Sequence, residues 1–248
     1  MTDYDDDDDN VENDTVATGF CHMNENGSSI CFNINLFGKS LEIFQAPDLP
    51  PDIAKDVGHG AVVWDAAVIF TKYLEISSKF SGSTLQNKRV IELGAGTGLA
   101  GLAFMLKGAF VTLTDTKAVI DHITKPNAES IYSKNNISSH LHKPICEEID
   151  WNQEYPALND SIEYDYCLLT DCVFSVDFAP KLVQQLVRVC NLKTQVIVCH
   201  EIRDEEANQL FLDHFSKYFK VKKVSMKKLH PDYKNDLVIL LEGKKKRS

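Results

Sequence analysis

The sequence of 248 residues lacks the patterns that would assign it to a secreted, membrane-spanning or metalloenzyme class. Its seven cysteines include no Cys-x-x-Cys pair, and no secretory signal pattern opens the chain, so we expect reduced thiols and a cytoplasmic location. The longest apolar runs, such as residues 237–241, are far shorter than the ~20 residues that a membrane-spanning helix needs. A His-Glu-x-x-His motif is also missing. These absences predict a soluble protein without a catalytic metal.

An overall excess of positive charge is missing too, and this bears on the partners of the protein. The formal net charge is −10, and the first fourteen residues hold eight of the 36 acidic side chains. The other 28 nearly balance the 26 basic residues. The chain therefore has little of the net positive charge with which proteins bind nucleic acid or anionic membranes, and we expect neither as a direct partner.

The two ends of the chain differ in composition from the rest. Residues 1–28 begin with a self-repelling acidic run that has almost no apolar side chains, which predicts a disordered acidic tail. Residues 244–248 hold three lysines and an arginine. We predict a solvated basic tail there, and a nuclear-import signal is the alternative.

Between these ends, the spacing of apolar residues predicts one α/β domain. Residues 29–45 alternate in two runs around Gly38, which predicts a β-hairpin within an N-terminal extension of residues 29–57. Residues 61–80 have helical spacing. From residue 89 onward strands and helices alternate, and the last two strands have no helix between them. The main domain, residues 58–243, is therefore predicted to have a mostly parallel sheet with an antiparallel end.

A glycine-rich loop follows the first strand of this domain. Residues 90–99 read Val-Ile-Glu-Leu-Gly-Ala-Gly-Thr-Gly-Leu, so that an acidic residue near the end of a strand precedes three glycines and a helix. Glycine lets a ligand approach the backbone closely, and ligands of open α/β sheets bind beyond the carboxyl ends of the strands. The loop therefore predicts a cofactor site.

Two kinds of cofactor fit this loop. Residues 96–101 match the G-x-G-x-x-G fingerprint of dinucleotide-binding proteins, although a single match of that kind is weak. The Glu92 carboxylate would repel a pyrophosphate, whereas S-adenosylmethionine has no phosphate and carries an ammonium and a sulfonium group. Asp115 ends the next strand, where an acid holds a ribose diol, which both cofactors have; a helix N-cap is its alternative role. Charge thus favours S-adenosylmethionine, with NAD as the alternative.

Five segments together resemble methyltransferase family 16, the seven-strand protein lysine methyltransferases. They are residues 63–67 (Val-Trp-Asp-Ala-Ala), 92–98 (Glu-Leu-Gly-Ala-Gly-Thr-Gly), 114–115 (Thr-Asp), 150–151 (Asp-Trp) and 171–174 (Asp-Cys-Val-Phe). The resemblance covers roughly residues 58–242 and implies a Rossmann-like α/β fold with seven strands. It also implies that S-adenosyl-L-methionine is bound by Glu92, Gly94, Ala95, Gly96 and Asp115, with Trp64 bordering the pocket and with Asp150 and Trp151 beside the adenine. A core aromatic is the alternative role of Trp64.

Residues 171–174 follow a predicted central strand and resemble the Asp-x-x-Phe/Tyr substrate motif of this family. Methyltransferases that modify nucleobase amines or glutamine amides have an Asn/Asp-Pro-Pro-Tyr type of motif there, and the missing proline favours lysine. At pH 7 a lysine loses its proton at a cost of roughly 4 to 5 kcal/mol, and a nearby carboxylate opposes that loss. We therefore predict that Asp171 captures and orients the amine without acting as a base, and that Phe174 forms a wall of the channel. A purely structural role is the alternative for Asp171.

The resemblance thus implies an S-adenosylmethionine-dependent protein-lysine N-methyltransferase, and we expect it to act as a monomer. The chain looks most like family members that methylate translation elongation factor 1-alpha, so that factor is the expected substrate. Chaperones and ribosomal proteins are the alternative substrates. An NAD-type oxidoreductase and a catalytically silent cofactor-binding module are the rival functions.

Overall fold

A computed structural model of the protein describes residues 31–46, 49–135, 141–153 and 162–247, so the predicted acidic tail lies outside the described residues. The strands of the described part are β1 (Cys31–Leu36), β2 (Lys39–Phe44), β3 (Arg89–Leu93), β4 (Phe110–Asp115), β5 (Ile145–Glu148), β6 (Tyr166–Thr170), β7 (Gln195–Glu201), β8 (Phe219–Lys223) and β9 (Val238–Lys245). Its α-helices are α1 (Pro51–Val57), α2 (Asp65–Ile76), α3 (Leu99–Leu106), α4 (Lys117–Val119), α5 (Lys125–Asn135), α6 (Ala179–Val189) and α7 (Glu205–Tyr218). Within these residues, no helix is both long and apolar enough to cross a membrane.

Seven strands form one sheet in the order β5-β4-β3-β6-β7-β9-β8. The first five are parallel, and β9 runs antiparallel to both β7 and β8. The central strands are apolar on both faces because both faces are covered: on β3, Val90 packs into one hydrophobic cluster and Ile91 into the other. The predicted mostly parallel sheet with an antiparallel end is confirmed.

The predicted N-terminal hairpin is confirmed as well, and it packs on the main domain. β1 and β2 pair antiparallel around Phe37 and Gly38, both of which have positive φ angles, as a two-residue hairpin turn requires. The side-chain amide of Asn127 on α5 binds the backbone of Phe44 in the hairpin through two hydrogen bonds. Its Oδ1 accepts from the Phe44 backbone N at 2.7 Å, and its Nδ2 donates to the Phe44 backbone O at 3.0 Å. The same Nδ2 lies 3.1 Å from the backbone O of Thr97 in the glycine loop. The hairpin therefore helps to brace that loop.

Several elements differ in extent from their predictions. Residues 51–57 form α1, a helix that the sequence analysis did not predict and that begins at Pro51, a position that proline favours. The helix predicted for residues 61–80 is limited to α2, since Trp64 before it is extended. The helical segment after β4 is divided into α4, a π-turn (Ile120–Thr124) and α5. Lys244 and Lys245, predicted to begin a basic tail, belong to β9, where the Lys245 Nζ binds backbone oxygens of α6 and the residue after it.

Candidate active site

The loop between β3 and α3 holds its glycines in left-handed conformations, with φ angles of 66° at Gly94 and 52° at Gly96. A Cβ atom at Gly94 would lie 2.7 Å from the Sγ of Cys172 and 2.8 Å from a ring carbon of Trp151. The Thr124 hydroxyl, in the π-turn before α5, donates to the backbone O of Gly96 at 2.7 Å. The loop is therefore fixed in a shape that only glycine fits at Gly94.

Glu92 lies beneath this loop and does not line the cavity described below. Its carboxylate is fully buried, accepting from the Gly101 backbone N at 2.8 Å and from the Thr170 hydroxyl at 3.4 Å. Burial raises the pKa of this carboxyl to about 8 and outweighs the two hydrogen bonds, which lower it. This differs from the expected contact with the cofactor, because the carboxylate binds the N–H of Gly101 in the first turn of α3 instead.

We expect Glu92→Gln to flatten the dependence of stability on pH. The carboxyl has a pKa of about 8 in the folded protein against an ordinary value of 4.5, so its contribution to stability is fully present below pH 4.5 and is lost as the pH rises toward 8. Glutamine keeps an acceptor for Gly101 and adds a donor for Thr170, without the charge. Between pH 5 and 9, the melting temperature should decrease less in the variant than in wild type. Equal decreases would contradict the assignment of the raised pKa to Glu92.

Asp115 ends β4 on the other side of the loop. Its Oδ2 accepts from the Gly96 backbone N and its Oδ1 from the Thr116 backbone N, both at 2.8 Å. Burial raises the pKa of Asp115 to about 6, and these backbone hydrogen bonds lower it by less. The N-cap residue of α4 is Thr116, so the alternative role of Asp115 as N-cap is not found. Asp115 thus lies at the carboxyl end of a parallel strand, where its carboxylate binds the backbone of the glycine loop.

A cavity of about 400 Å³ lies beyond the carboxyl ends of β3, β4 and β6. It brings together nine of the ten residues that the sequence analysis assigned to the site, all except Glu92: Trp64, Gly94, Ala95, Gly96, Asp115, Asp150, Trp151, Asp171 and Phe174. The other residues that line it include His59, Phe178 and Arg203, to which the sequence analysis gave no role in the site. One continuous space thus joins the glycine loop to the segment that follows β6.

Aromatic rings border this space in succession. His59 lies 6.0 Å from Trp64 and 5.8 Å from Phe174, measured between ring centroids. Phe178 continues the series, 5.8 Å from Phe174 and 6.2 Å from Trp151. The Phe174 side chain is 38% exposed, so this end of the cavity opens to solvent. Such walls suit an alkyl chain and favour the neutral form of an amine, because they remove water from it.

The two tryptophans that line the cavity differ in their contacts. Trp64 is only half buried, and its Nε1 donates to the His59 backbone O at 2.9 Å, so its alternative role as a core aromatic is not found. Trp151 packs over Gly94, and Asp150 before it accepts from the Asn152 backbone N at 2.9 Å. The Asp-Trp pair therefore lies in a turn that faces the glycine loop.

Asp171 occupies the residue directly after β6 with an uncommon φ angle of 55°. Its Oδ2 accepts from the Ala66 backbone N at 3.0 Å, and its Oδ1 accepts from the Glu201 backbone N at 2.9 Å and from the Arg203 guanidinium at 3.1 Å. The side chain is 1% exposed. Capture of an amine by Asp171 stays a prediction, and the three protein donors make the carboxylate a junction between α2, β6 and β7.

Clustered metal ligands and cysteine are two further features that bear on the chemistry of a cavity. The described ranges contain no group of three or more His, Cys, Asp or Glu side chains that could hold a metal ion. Cys172 is buried, its Sγ lies 3.2 Å from the Leu93 backbone O, and burial raises the pKa of its thiol well above the usual range. A thiol in that state is a poor nucleophile.

Comparison with known proteins shows which enzymes share this arrangement. The family model described as lysine methyltransferase matches residues 48–218, which is more than half of the chain. The chain belongs to the lysine methyltransferase family. It is 32% identical over 200 residues to the protein N-lysine methyltransferase METTL21A of Mus musculus, covering 79% of this chain and 86% of that protein. It is 33% identical over 166 residues to the EEF1A lysine methyltransferase 3 of Xenopus tropicalis, covering 66% and 68%.

Similarity to solved structures supports the fold of this lysine methyltransferase. The 16S rRNA N2 G1207 methyltransferase RsmC of T. thermophilus, solved with AdoMet and guanosine, matches with a TM-score of 0.57 and 15% identity. The match covers 88% of this chain and 51% of that chain. At this identity the likeness shows the fold alone, a Rossmann-like methyltransferase sheet.

The lysine methyltransferase is an S-adenosyl-L-methionine-dependent protein-lysine N-methyltransferase, and family membership decides between the two cofactors that the glycine loop fits. When bound, this cofactor supplies a methyl group on a positively charged sulfur. The residues present fit it, since Gly94 and Gly96 keep the backbone close to the cavity and Asp115 offers carboxylate oxygens that suit ribose hydroxyls. Trp151 adds an aromatic ring to the lining of the same cavity.

The affinity of the lysine methyltransferase for its cofactor should fall as the pH drops below about 6, the pKa of Asp115. In the predicted binding mode the ionised carboxylate would accept two ribose hydrogen bonds, whereas its protonated form would lose part of that capacity. We expect binding near pH 5.5 to be weaker than at pH 7 and to release a proton, as measured by calorimetry in buffers of different ionisation enthalpy. The Asp115→Asn variant should bind weakly at both values. An affinity of the wild type that is constant from pH 5 to 7 would exclude this role.

Proposed function

We propose that this lysine methyltransferase methylates a lysine of translation elongation factor 1-alpha, acting as a monomer in the cytoplasm. The observation that carries the lysine chemistry is the single cavity that connects the glycine loop with the exposed Phe174 ring. The elongation factor is supported by the name of one relative, the EEF1A lysine methyltransferase 3 of Xenopus tropicalis.

The proposed roles divide the cavity into two ends. Gly94, Ala95, Gly96 and Asp115 hold the methyl donor, with Asp150 and Trp151 beside its adenine. At the other end the side chain of the substrate lysine enters between aromatic walls. Phe174 and Trp64 flank it there, and Asp171 orients the amine.

Alignment is the main contribution of these residues to the reaction. Methyl transfer is an in-line displacement, so the amine nitrogen and the methyl carbon have to be held in line with the leaving group. The aromatic walls position the alkyl chain and exclude water, which also lowers the cost of removing the proton of the amine. Because the walls contact only the side chain, the surface that presents the lysine decides which protein is modified.

The substrate proposal is tested by mass spectrometry of proteins from cells that contain or lack the enzyme. We expect one lysine of elongation factor 1-alpha to lose its methyl groups without the enzyme. Wild-type enzyme should restore them, and Gly96→Leu, which places a bulky side chain at the cavity wall, should not. Circular dichroism of the purified variant controls for folding.

The outcomes separate the substrate from the chemistry. An unmodified elongation factor together with a lost mark on a lysine of a chaperone or ribosomal protein would refute the substrate and leave the lysine chemistry. A lost mark on a residue other than lysine would refute the chemistry as well.

A further inference from the structure

The substrate end of the cavity contains an apparent conflict. The substrate lysine arrives as an ammonium ion and has to lose a proton before its nitrogen can accept a methyl group. An ionised Asp171 beside it would favour the ammonium form, because an opposite charge raises the pKa of an amine. Some feature of the site has to offset this carboxylate.

Arg203 lies where it offsets that charge. Its Nη1 lies 3.1 Å from the Asp171 Oδ1, and its Nη2 lies 2.6 Å from the Oε2 of Glu201. The guanidinium carbon is 4.5 Å from the centroid of the Trp64 ring, within the range of a cation–π contact. One side chain thus binds both carboxylates and one aromatic wall.

The other charges around the cavity do not substitute for Arg203. Asp115 and Asp150 lie on β4 and after β5 and accept from backbone N–H groups near the glycine loop. Asp56 and His59 are exposed at the opening, on α1 and the turn after it. His200, buried on β7 behind Asp171, binds Asn208 at 2.9 Å, and burial lowers its pKa. Among the described residues, Arg203 is the single lysine or arginine that lines the cavity.

We propose that Arg203 is a positioning residue, which holds Asp171 and Trp64 at the substrate end and whose positive charge prevents the substrate amine from being trapped as an ammonium ion. The inference rests on the proposed placement of the lysine at this end. The N–H bond of the ammonium breaks and its proton leaves to water through the open end. The nitrogen lone pair then forms the N–C bond while the C–S bond breaks, with its electron pair remaining on sulfur.

The test is the pH dependence of the single-turnover rate with enzyme in excess over the methyl acceptor. A protein extract of cells that lack the enzyme serves as the acceptor, with labelled S-adenosylmethionine, and enzyme is added until the rate no longer rises. Under these conditions the pH profile reports the amine in the bound complex. The acceptor does not have to be elongation factor 1-alpha, so the identity of the labelled band tests the proposed substrate separately.

The rate should rise with pH as the bound amine loses its proton, and replacing Arg203 with glutamine should displace this rising limb to higher pH by about one unit, as expected for a partly screened charge nearby. The rate at pH 7 should then fall about tenfold and recover at high pH. Arg203→Lys should restore the limb, since it returns the charge, with some loss of rate because it lacks the planar fork. The Arg247→Gln variant removes an exposed charge near the end of the chain and should match wild type.

Glu201→Gln provides a test in the opposite direction, which remains available should Arg203→Gln fail to fold. It removes a carboxylate that pairs with Arg203, so the limb should move to lower pH. A uniform loss of rate at every pH in Arg203→Gln with the limb unmoved would show a merely structural role and overturn the proposal. A limb in Glu201→Gln that moves upward would also overturn it.

Discussion

Replacement of Asp171 by alanine is expected to lower the free energy of unfolding by about 2 to 5 kcal/mol, because each buried donor that loses its acceptor costs about 1 to 3 kcal/mol. The change leaves two backbone N–H groups without their acceptor and places alanine at a φ angle of 55°. It should also reduce methyl transfer by on the order of 100-fold, because the start of α2 and the Arg203 side chain lose their common anchor. Urea unfolding and a single-turnover assay measure the two effects.

Two further variants separate the causes of this effect. Asparagine tolerates the left-handed backbone at this position but lacks the charge opposite Arg203. Asp171→Asn should therefore be more stable than Asp171→Ala but only slightly more active. Asp177→Ala removes an exposed carboxylate six residues later and should behave as wild type. Cofactor affinity should change little in all three variants. An Asp171→Ala protein that loses cofactor binding and transfer in equal measure would contradict the assignment of this residue to the substrate end.

Gly94→Ala is expected to weaken cofactor binding by about ten- to hundredfold. The new Cβ atom would lie 2.7 Å from the Sγ of Cys172 and 2.8 Å from Trp151, so either the loop or the tryptophan has to move. Overpacking of this kind costs about 1 to 3 kcal/mol, and each 1.4 kcal/mol is about a factor of ten in affinity. Titration calorimetry with S-adenosylmethionine measures the loss.

The hairpin turn offers a matched control for this variant. Gly38 has a φ angle of 73°, close to that of Gly94, but a Cβ atom there would have nothing within 4 Å. Gly38→Ala should therefore cost similar backbone strain and leave cofactor affinity unchanged. Cys172→Ala in the Gly94→Ala background should restore part of the affinity by removing one of the two close contacts. Equal losses of affinity in the Gly94 and Gly38 variants would show that strain rather than crowding is responsible.

The sequence could predict the cofactor end of the site because its signals are local. The glycine loop and Asp115 each follow a strand with a clear apolar pattern, and parallel strands bring their carboxyl ends to one edge of the sheet. The same pattern did not reveal that Glu92 lies below the loop. The direction of its side chain is set by Gly101, nine residues later, and by Thr170 on a neighbouring strand.

The substrate end could be predicted only in part, because its contacts are distant in sequence. Asp171 was singled out, but its hydrogen-bond partners lie 105 residues before it at Ala66 and about 30 residues after it at Glu201 and Arg203. Arg203 is one exposed charge between a strand and a helix, a position that has no periodicity to mark it. The arginine comes to lie beside a carboxylate and a tryptophan only after the strands have paired in their final register. The sequence alone therefore could not reveal these contacts.

The most direct test of the central claim, that methyl donor and lysine meet in this cavity, is a crystal structure of the protein with S-adenosylhomocysteine. We predict that the adenine lies against Trp151, that the ribose hydroxyls bind Asp115, and that the sulfur faces the opening bordered by Phe174 and Trp64. A ligand bound outside this cavity would contradict the claim, as would one whose sulfur faces away from that opening.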